Sequence, residues 1–503
     1  MKQPMTENTL KKSDVIRLNA KTLDRLDASI TRPAYNWQNV KTGIVHISLG
    51  AFHRSHQAVY TDDVLAKTGG DWGICGIGAM ASDKTLINNL CVQDHLYTVL
   101  TRDASGNKPR IIGALREAML MPENPAAVVE RLTSPDIKIL SLTITEKGYC
   151  LDPQTGKLNE KHPMIVHDLA NPDKPQSAIG LIVAALRARQ QKGMKPFTVM
   201  SCDNLPGNGH KTSTVVLGFT RLLNDKLANW IEQNVAFPNT MVDRITPVTT
   251  ASDKEAFVSE FGYEDEGLVV CEPFLQWVLE DKFTLGRPAW DKVGAQFVPD
   301  VYPYELAKIR ILNVPHTIFA YPAYLMGFTW VSDGASDPLL ARYVRKVMDE
   351  EITPTLPPVP GLDIEPYKTT IINRFANPAI KDTWERICSD GSQKIANQLV
   401  PIVRERLAKG ASVSGLALLI AAWFRYLTAK HDNGQTYKLD DPMADKLNKI
   451  ALSSGNDPMP LLSVKDIFGD DLPRHAGFVN EVRAALESIY KEGVKKVISD
   501  RYK

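Results

Sequence analysis

In the run "YELAKIRILNVPHTIFAY" (Tyr304–Tyr321), Lys308, Asn313 and His316 interrupt an otherwise apolar stretch with helical character. Asn313 and His316 are three residues apart and share a helix face. Lys308 lies eight residues before His316, about 80° away at helical pitch, so the three side chains can converge. Burial disfavours a lysine cation, which lowers its pKa and suits it to general-base work. A carboxamide nearby donates N–H to a developing alkoxide, as oxyanion donors do. Any one of these residues is more often structural, but together they have the chemistry to take a proton from an alcohol.

A second concentration is "VHISLGAFHRSHQAVY" (Val45–Tyr60). Laid on the G-x-G-x-x-G dinucleotide template it supplies Ser48, Gly50 and His53, and only the middle position, where backbone approaches pyrophosphate, is glycine. On pattern alone a dinucleotide turn and a plain strand–turn–helix both stand. Gly76-Ile-Gly78-Ala-Met-Ala81 matches the template better but falls on the second strand, where this type of fold places an acid on the adenosine ribose. Asp83 stands ready for that task, 33 residues after Gly50 (83 − 50). His53 and His56, at i and i+3, share a helix face, yet two ligands are too few for a metal, so none is expected. The Y-x-x-x-K spacing of Tyr304 and Lys308 also occurs in short-chain dehydrogenases. Those enzymes are far shorter and carry a different early glycine turn, so the match reads as chance.

Polar residues also gather where apolar runs end. "LTITEKGYC" ends in Thr145, Glu146 and Lys147, and "VMSCDNLPGNG" in Asp203 and Asn204. Ligands of open α/β sheets bind outside the carboxyl ends of strands, although Asp-Asn before Pro-Gly is also ordinary turn chemistry. In "RFANPAIKDTWERICSDGSQKI", Arg386, Asp390 and Lys394 recur every four residues on a helix or helix–turn. They read as a salt-bridged surface or as groups that orient a polar substrate.

The elements that must position these residues form two regions. After a polar lead-in of about 40 residues, apolar strand-like runs alternate with helical ones, which predicts a parallel α/β sheet. Beyond about Asp300 long helical segments dominate, with a Pro-rich loop at Ile352–Asp363. The expected fold class is α/β: a Rossmann-like domain with extensions over 1–298, then a mostly α-helical substrate-binding and catalytic domain over 299–503. A net charge of +1 gives no reason to expect nucleic acid or a membrane surface as partner. The six cysteines are scattered without CxxC spacing, which fits a reducing compartment. The apolar run Leu416–Phe424 is too short to span a membrane, and no signal pattern opens the chain, so a cytoplasmic location is expected.

With these residues in hand, the sequence resembles the polyol-specific long-chain dehydrogenase/reductase (mannitol dehydrogenase) family from about Gly43 to the C-terminal helices. The markers are "GAFHRSHQA", "DWGICGIG", "SLTITEKGYC", "FTVMSCDN", "FPNTMVDRITP", "CEPFLQWVLEDKF", "GRPAWDKVGAQF", "DGSQK" and the K-x4-N-x2-H of Lys308, Asn313 and His316. The resemblance implies metal-independent hydride transfer with Lys308 as general base, Asn204 and Asn313 as the carboxamide pair at the alkoxide, and His316 orienting the substrate. Asp243, Arg386 and Lys394 would surround the substrate. Ser48, Leu49, Gly50, Ala51, Phe52 and Arg54 would meet the cofactor. Asp83 would favour NAD over NADP by repelling a 2′-phosphate, and Glu146 and Glu305 match acidic positions tied to cofactor contact or proton exchange. Two departures stand out: Ser48 where the family usually has glycine, and Asn313-Val-Pro315-His316 where N-G-S-H is commoner. Proline removes a helix hydrogen bond and is expected to kink the site wall.

The implied activity is NAD-dependent interconversion of a linear polyol, such as mannitol, and its 2-ketose. Reduction of a uronate (fructuronate or tagaturonate) is the alternative within the family, and an NAD-binding sensor without turnover is the alternative of another class. The expected partner is a small polyol or sugar acid, with the protein a monomer or weak homo-oligomer.

Overall fold

The computed structural model describes residues 15–152 and 155–502. Two compact units divide the chain between Val301 and Tyr302. The first residues of the polar lead-in lie outside the described part. The rest of it is not a tail: Leu18, Leu23, Leu26 and Ile30 are buried in a small core with Leu96, Leu100 and Tyr263.

The first unit is built on a five-stranded sheet of β1 (Thr42–Ile47), β2 (Gly73–Gly78), β3 (Leu115–Leu120), β4 (Ile139–Leu142) and β5 (Thr198–Ser201). Its order is β3-β2-β1-β4-β5, all parallel, the doubly wound arrangement. Both faces of the other four strands are buried, which is why they read as largely apolar runs, while the edge strand β3 is half-buried between its ends and carries Arg116 and Glu117. Val45, Ile47, Cys75, Ile77, Leu140, Leu142 and Val199 pack on one side against α3 (Ala178–Gln191). Ile44, Ile74, Ile139 and Met200 pack on the other with Ala58, Val59, Val64 and Leu65. The helix expected after β1 is two pieces, α1 (Ala51–Ser55) and α2 (Gln57–Thr68), broken at His56 and stopped at Gly69 with φ +66°. The strand order reverses between β1 and β4, so the crevice for a ligand opens at their carboxyl ends.

Two smaller three-stranded sheets extend this unit. One holds the antiparallel hairpin Tyr97–Asp103 and Gly106–Ile112 with Val269–Cys271 alongside. The other pairs Thr240–Asp243, Gln276–Glu280 and Gln296–Val298 and carries Asp243 at a strand end.

The second unit is helical. It includes α4 (Tyr302–Lys308), α5 (Val314–Leu325), α6 (Ile364–Phe375), α7 (Trp384–Cys388), α8 (Gly391–Lys394), α9 (Val400–Ala408) and α10 (Ser414–Tyr426). Ten of the twelve residues of α5 and eleven of the thirteen of α10 are buried, so both are core helices without a polar face. The run Leu416–Phe424 belongs to α10. Among the described residues no helix is long and apolar enough to cross a membrane.

Candidate active site

In the first unit the chain leaves β1 through Ser48, Leu49 and Gly50 and enters α1 at Ala51. Ser48 has φ +73°, a left-handed conformation that favours glycine. Three backbone-based bonds hold it: its N–H donates to the Ile77 carbonyl (2.8 Å), and its own carbonyl accepts from Gly50 N–H (2.7 Å) and Thr143 Oγ1 (3.1 Å). Gly50 has an ordinary extended conformation, and a Cβ there would meet only the Ser48 carbonyl, at 4.0 Å. Nothing in the fold itself requires glycine at this position; what it leaves is room for a ligand to approach the backbone. Gly76 is different. A Cβ there would lie 2.6 Å from the Leu49 side chain, so this glycine is a strand residue that lets the turn pack on the sheet. The better literal match to the dinucleotide template is therefore a seat for the turn rather than the turn itself.

Beneath the turn lies a buried polar chain. His46 bonds through Nδ1 to Ser141 Oγ (2.8 Å) and through Nε2 to Thr143 Oγ1 (2.9 Å), while Ser141 Oγ donates to Gln57 Oε1 (2.8 Å). Complete burial pushes the His46 pKa down to about 3, so the ring is neutral. His53 stacks on His46 with centroids 3.5 Å apart, and burial holds its pKa well below the usual value. His56 packs against Phe52 and Tyr60 and bonds through Nε2 to the Gln276 carbonyl (2.8 Å). These histidines are core residues, and among the described residues no group of three or more His, Cys, Asp or Glu gathers as metal ligands.

Arg54, which the resemblance puts beside the cofactor, is buried, with Nη1 donating to the Gly267 carbonyl and the guanidinium over the Tyr97 ring. It ties α1 to the interior of the unit, and its single short helical turn points it there. Asp83 follows β2 by five residues, half-buried, with one carboxylate oxygen accepting Met80 N–H (2.9 Å).

The loops after β4 and β5 are joined through one carboxylate. Asp203 accepts from Ile144 N–H (3.0 Å), Thr145 N–H (2.8 Å) and the Tyr149 hydroxyl (2.6 Å), and burial raises its pKa. Asp203 thus acts on the backbone, while the next residue, Asn204, and Glu146 on the facing loop are exposed. Asp243 ends its strand almost fully buried.

In the second unit Lys308 ends α4, Asn313 ends a wide π-turn at Ile309–Asn313, and His316 lies in the first turn of α5. The helix expected over Tyr304–Leu325 is thus interrupted. His316 stacks on Phe375 of α6 (4.3 Å, 14° between planes) and meets Trp384 of α7 edge-on. Its Nε2 is buried without a protein partner. Burial pushes its pKa down to about 3, and the charges of Asp382, Arg386, Lys394 and Arg374 act on the same ring. Tyr304 donates its hydroxyl to the Pro360 carbonyl (2.6 Å), and burial raises its pKa, the opposite of what an acid–base tyrosine needs.

Arg386 and Lys394 do not share a continuous helix. The chain breaks at Asp390, whose φ is +54° and whose N–H donates to the Asp440 carbonyl (2.9 Å). Arg386 pairs instead with Asp382, four residues earlier, through Nε to Oδ1 (2.6 Å) and Nη2 to Oδ2. Lys394 Nζ donates to the Ile387 carbonyl (2.7 Å), and burial lowers its pKa. The expectation from sequence omitted Phe375, which holds the imidazole plane, and Asp382, which holds the guanidinium. The signal for Asp382 is present in the sequence, because "DTWER" sets Asp382 and Arg386 at the same i,i+4 spacing as Arg386 and Asp390.

Comparison with known proteins places both units. The Mannitol dehydrogenase Rossmann domain profile matches residues 42–292, and the Mannitol dehydrogenase C-terminal domain profile matches 300–490. The chain is 43% identical over 488 residues to the mannitol 2-dehydrogenase of Phaeosphaeria nodorum, covering 96% of this chain and 85% of the relative. It is 42% identical to mannitol dehydrogenase 2 of Saccharomyces cerevisiae, covering 95% of each chain. Among solved structures it is similar to Pseudomonas fluorescens mannitol 2-dehydrogenase in a ternary complex with NAD and D-mannitol (42% identity, TM-score 0.88, 97% and 99% coverage). It is also similar to a D-sorbitol dehydrogenase in substrate-free form (35% identity, TM-score 0.89, 96% and 100% coverage). This chain belongs to the mannitol dehydrogenase family.

Proposed function

We propose that this protein is an NAD-dependent polyol dehydrogenase that oxidises a linear polyol such as D-mannitol to its 2-ketose, and the reverse, without a metal. The observation that carries the reading is the cluster on the second unit: Lys308, Asn313 and a neutral His316 whose buried Nε2 has no protein partner, with Arg386 and Lys394 acting on the same ring. NAD accepts the hydride. Ser48 to Phe52 would meet its pyrophosphate, where Gly50 leaves open space at the turn, and Asp83, in the turn after β2, would meet its ribose. The similarity to a protein solved with NAD and D-mannitol supports the choice of both ligands.

Lys308 removes the hydroxyl proton, a step in which a positioned base contributes roughly 10²–10⁴-fold. Asn204 and Asn313 donate carboxamide N–H to the alkoxide. His316, neutral, hydrogen-bonds a substrate hydroxyl through Nε2. Uronate reduction is the weaker reading, because a carboxylate substrate needs a cationic clamp and Arg386 already gives its Nε–Nη2 edge to Asp382.

The test is NADH absorbance with mannitol, sorbitol and mannonate. Polyol turnover is expected; turnover of mannonate alone would overturn the substrate, and NADH binding without any turnover would favour a sensor. Lys308→Ala is expected to lower kcat roughly a thousandfold while NADH still binds. Tyr304→Phe, which removes the hydroxyl that bonds the Pro360 carbonyl, is expected to retain most activity.

A further inference from the structure

We infer that Pro315 is a positioning residue: it holds open the π-turn at Ile309–Asn313, and that turn brings Lys308, Asn313 and His316 onto one face of the helix. The inference rests on the proposed roles of those three residues.

The described residues contain three π-turns, all in the second unit: Ile309–Asn313, Met348–Ile352 and Ile395–Leu399. Each closes with a backbone bond five residues long, from Val314 N–H to the Ile309 carbonyl, Thr353 to Met348, and Val400 to Ile395. In all three the residue after the donor is proline: Pro315, Pro354 and Pro401. The physical reason is local. Proline has no N–H for the preceding turn, and its ring clashes with the carbonyl four residues back in a regular α-helix. Widening that turn by one residue relieves the clash. Pro322, inside α5, follows no π-turn, so proline holds such a turn open without being enough to create one.

The consequence for the site is angular. In an unbroken α-helix at about 100° per residue, Asn313 lies about 140° and His316 about 80° from Lys308. A π-turn absorbs one residue, which brings Asn313 to about 40° on one side of Lys308 and His316 to about 20° on the other. A spread of about 140° becomes about 60°, narrow enough for three side chains to meet one hydroxyl-bearing carbon. The pattern repeats at the second lysine: Lys394 immediately precedes the π-turn that Pro401 follows.

The experiment compares Pro315→Ala, Pro401→Ala and Pro354→Ala in the full-length protein, each measured for kcat, KM for mannitol and NAD, and thermal midpoint. Alanine favours a regular helix, so neither site variant is expected to lose stability. Pro315→Ala is expected to lower kcat at least tenfold with KM for NAD unchanged. Pro401→Ala is expected to raise KM for mannitol about fivefold with kcat within twofold, because an exposed or misaimed cation costs binding of order 1 kcal/mol. Pro354→Ala, whose π-turn flanks none of the proposed site residues, is expected to match the parent. Pro315→Ala with kcat and KM within twofold of the parent overturns the inference, as does a kcat loss that only follows a fall in thermal midpoint. Lys308→Ala separates the two levels: if it remains active, the proposed function fails, whereas an inactive Lys308→Ala beside a fully active Pro315→Ala refutes only the role of Pro315.

Discussion

At the strand ends of the first unit, polar side chains mostly turn back into the protein. Asp203 binds two backbone N–H groups, His46 and Thr143 brace the Ser48 carbonyl, and Arg54 reaches the Gly267 carbonyl. On the helices of the second unit, side chains of the site are instead held by other side chains: His316 is stacked on Phe375, and Arg386 is braced along one edge by Asp382. The contrast follows from what each unit has to offer a ligand. A dinucleotide turn presents backbone, so its side chains serve to fix that backbone. A polyol is a row of hydroxyls, so the unit that meets it must present side chains, and its backbone must deform to aim them.

The contrast is sharpest in acid. His46 has its pKa pushed down to about 3 by complete burial, and His53 beside it is lowered for the same reason. The unfolded chain takes up these protons below about pH 6.5 and the folded chain refuses them, so stability is full above that pH and is lost as pH falls towards 3. At pH 5, His46 alone costs about 2 kcal/mol, and His53 adds in the same direction. In the second unit burial lowers the pKa of His316 in the same way, but no second buried imidazole stacks on it as His53 does on His46. Hydrogen exchange, corrected for intrinsic rates, is therefore expected to show a larger loss of protection in β1 than in α5 on going from pH 7 to pH 5. Equal losses would break the contrast.

The same pair of regions shows what was legible in the sequence. Four strands of the main sheet are legible because burial on both faces makes each an apolar run, whereas the edge strand β3, "LREAML", carries Arg116 and Glu117 and is only half-buried between its ends. The hairpin Tyr97–Ile112 is not legible: its second strand, "GNKPRII", begins polar and contains a proline, so no alternation announces it. Asn204 and the Lys308–His316 cluster could be picked out because polar residues at the end of a strand or inside an apolar helix need a reason. The π-turns escaped because helical spacing assumes 3.6 residues per turn throughout; the signal that could have found them is proline following a run of helix formers. The inward direction of Arg54 is illegible for a related reason, since adjacency to the glycine turn says nothing about which way a residue on a five-residue helix points.

A smaller effect probes the helical side. Asp382→Asn removes the carboxylate that fixes Arg386 while keeping the side chain's size. KM for mannitol is expected to rise roughly tenfold, about 1.4 kcal/mol, with kcat changed less. The freed guanidinium is also expected to improve binding of a carboxylate-bearing sugar acid. If KM for mannitol does not move, Arg386 is not positioned by its partner, and the idea that this unit presents braced side chains loses its clearest case.

The smallest effect belongs to the backbone-built side, at Ser48. Its left-handed φ costs a non-glycine residue roughly 1–2 kcal/mol. Glycine removes that cost but loses about 0.5–1 kcal/mol through the greater freedom of the unfolded chain. All three bonds described for Ser48 run through its N–H and carbonyl, which glycine keeps. Ser48→Gly is therefore expected to raise stability by no more than about 1.5 kcal/mol in a denaturant titration. The dissociation constant for NADH, followed by fluorescence, is expected to stay within about threefold, less than 0.7 kcal/mol. A tenfold weakening would mean that the serine hydroxyl itself meets the dinucleotide, and that this turn, like the helices of the second unit, presents a side chain to its ligand.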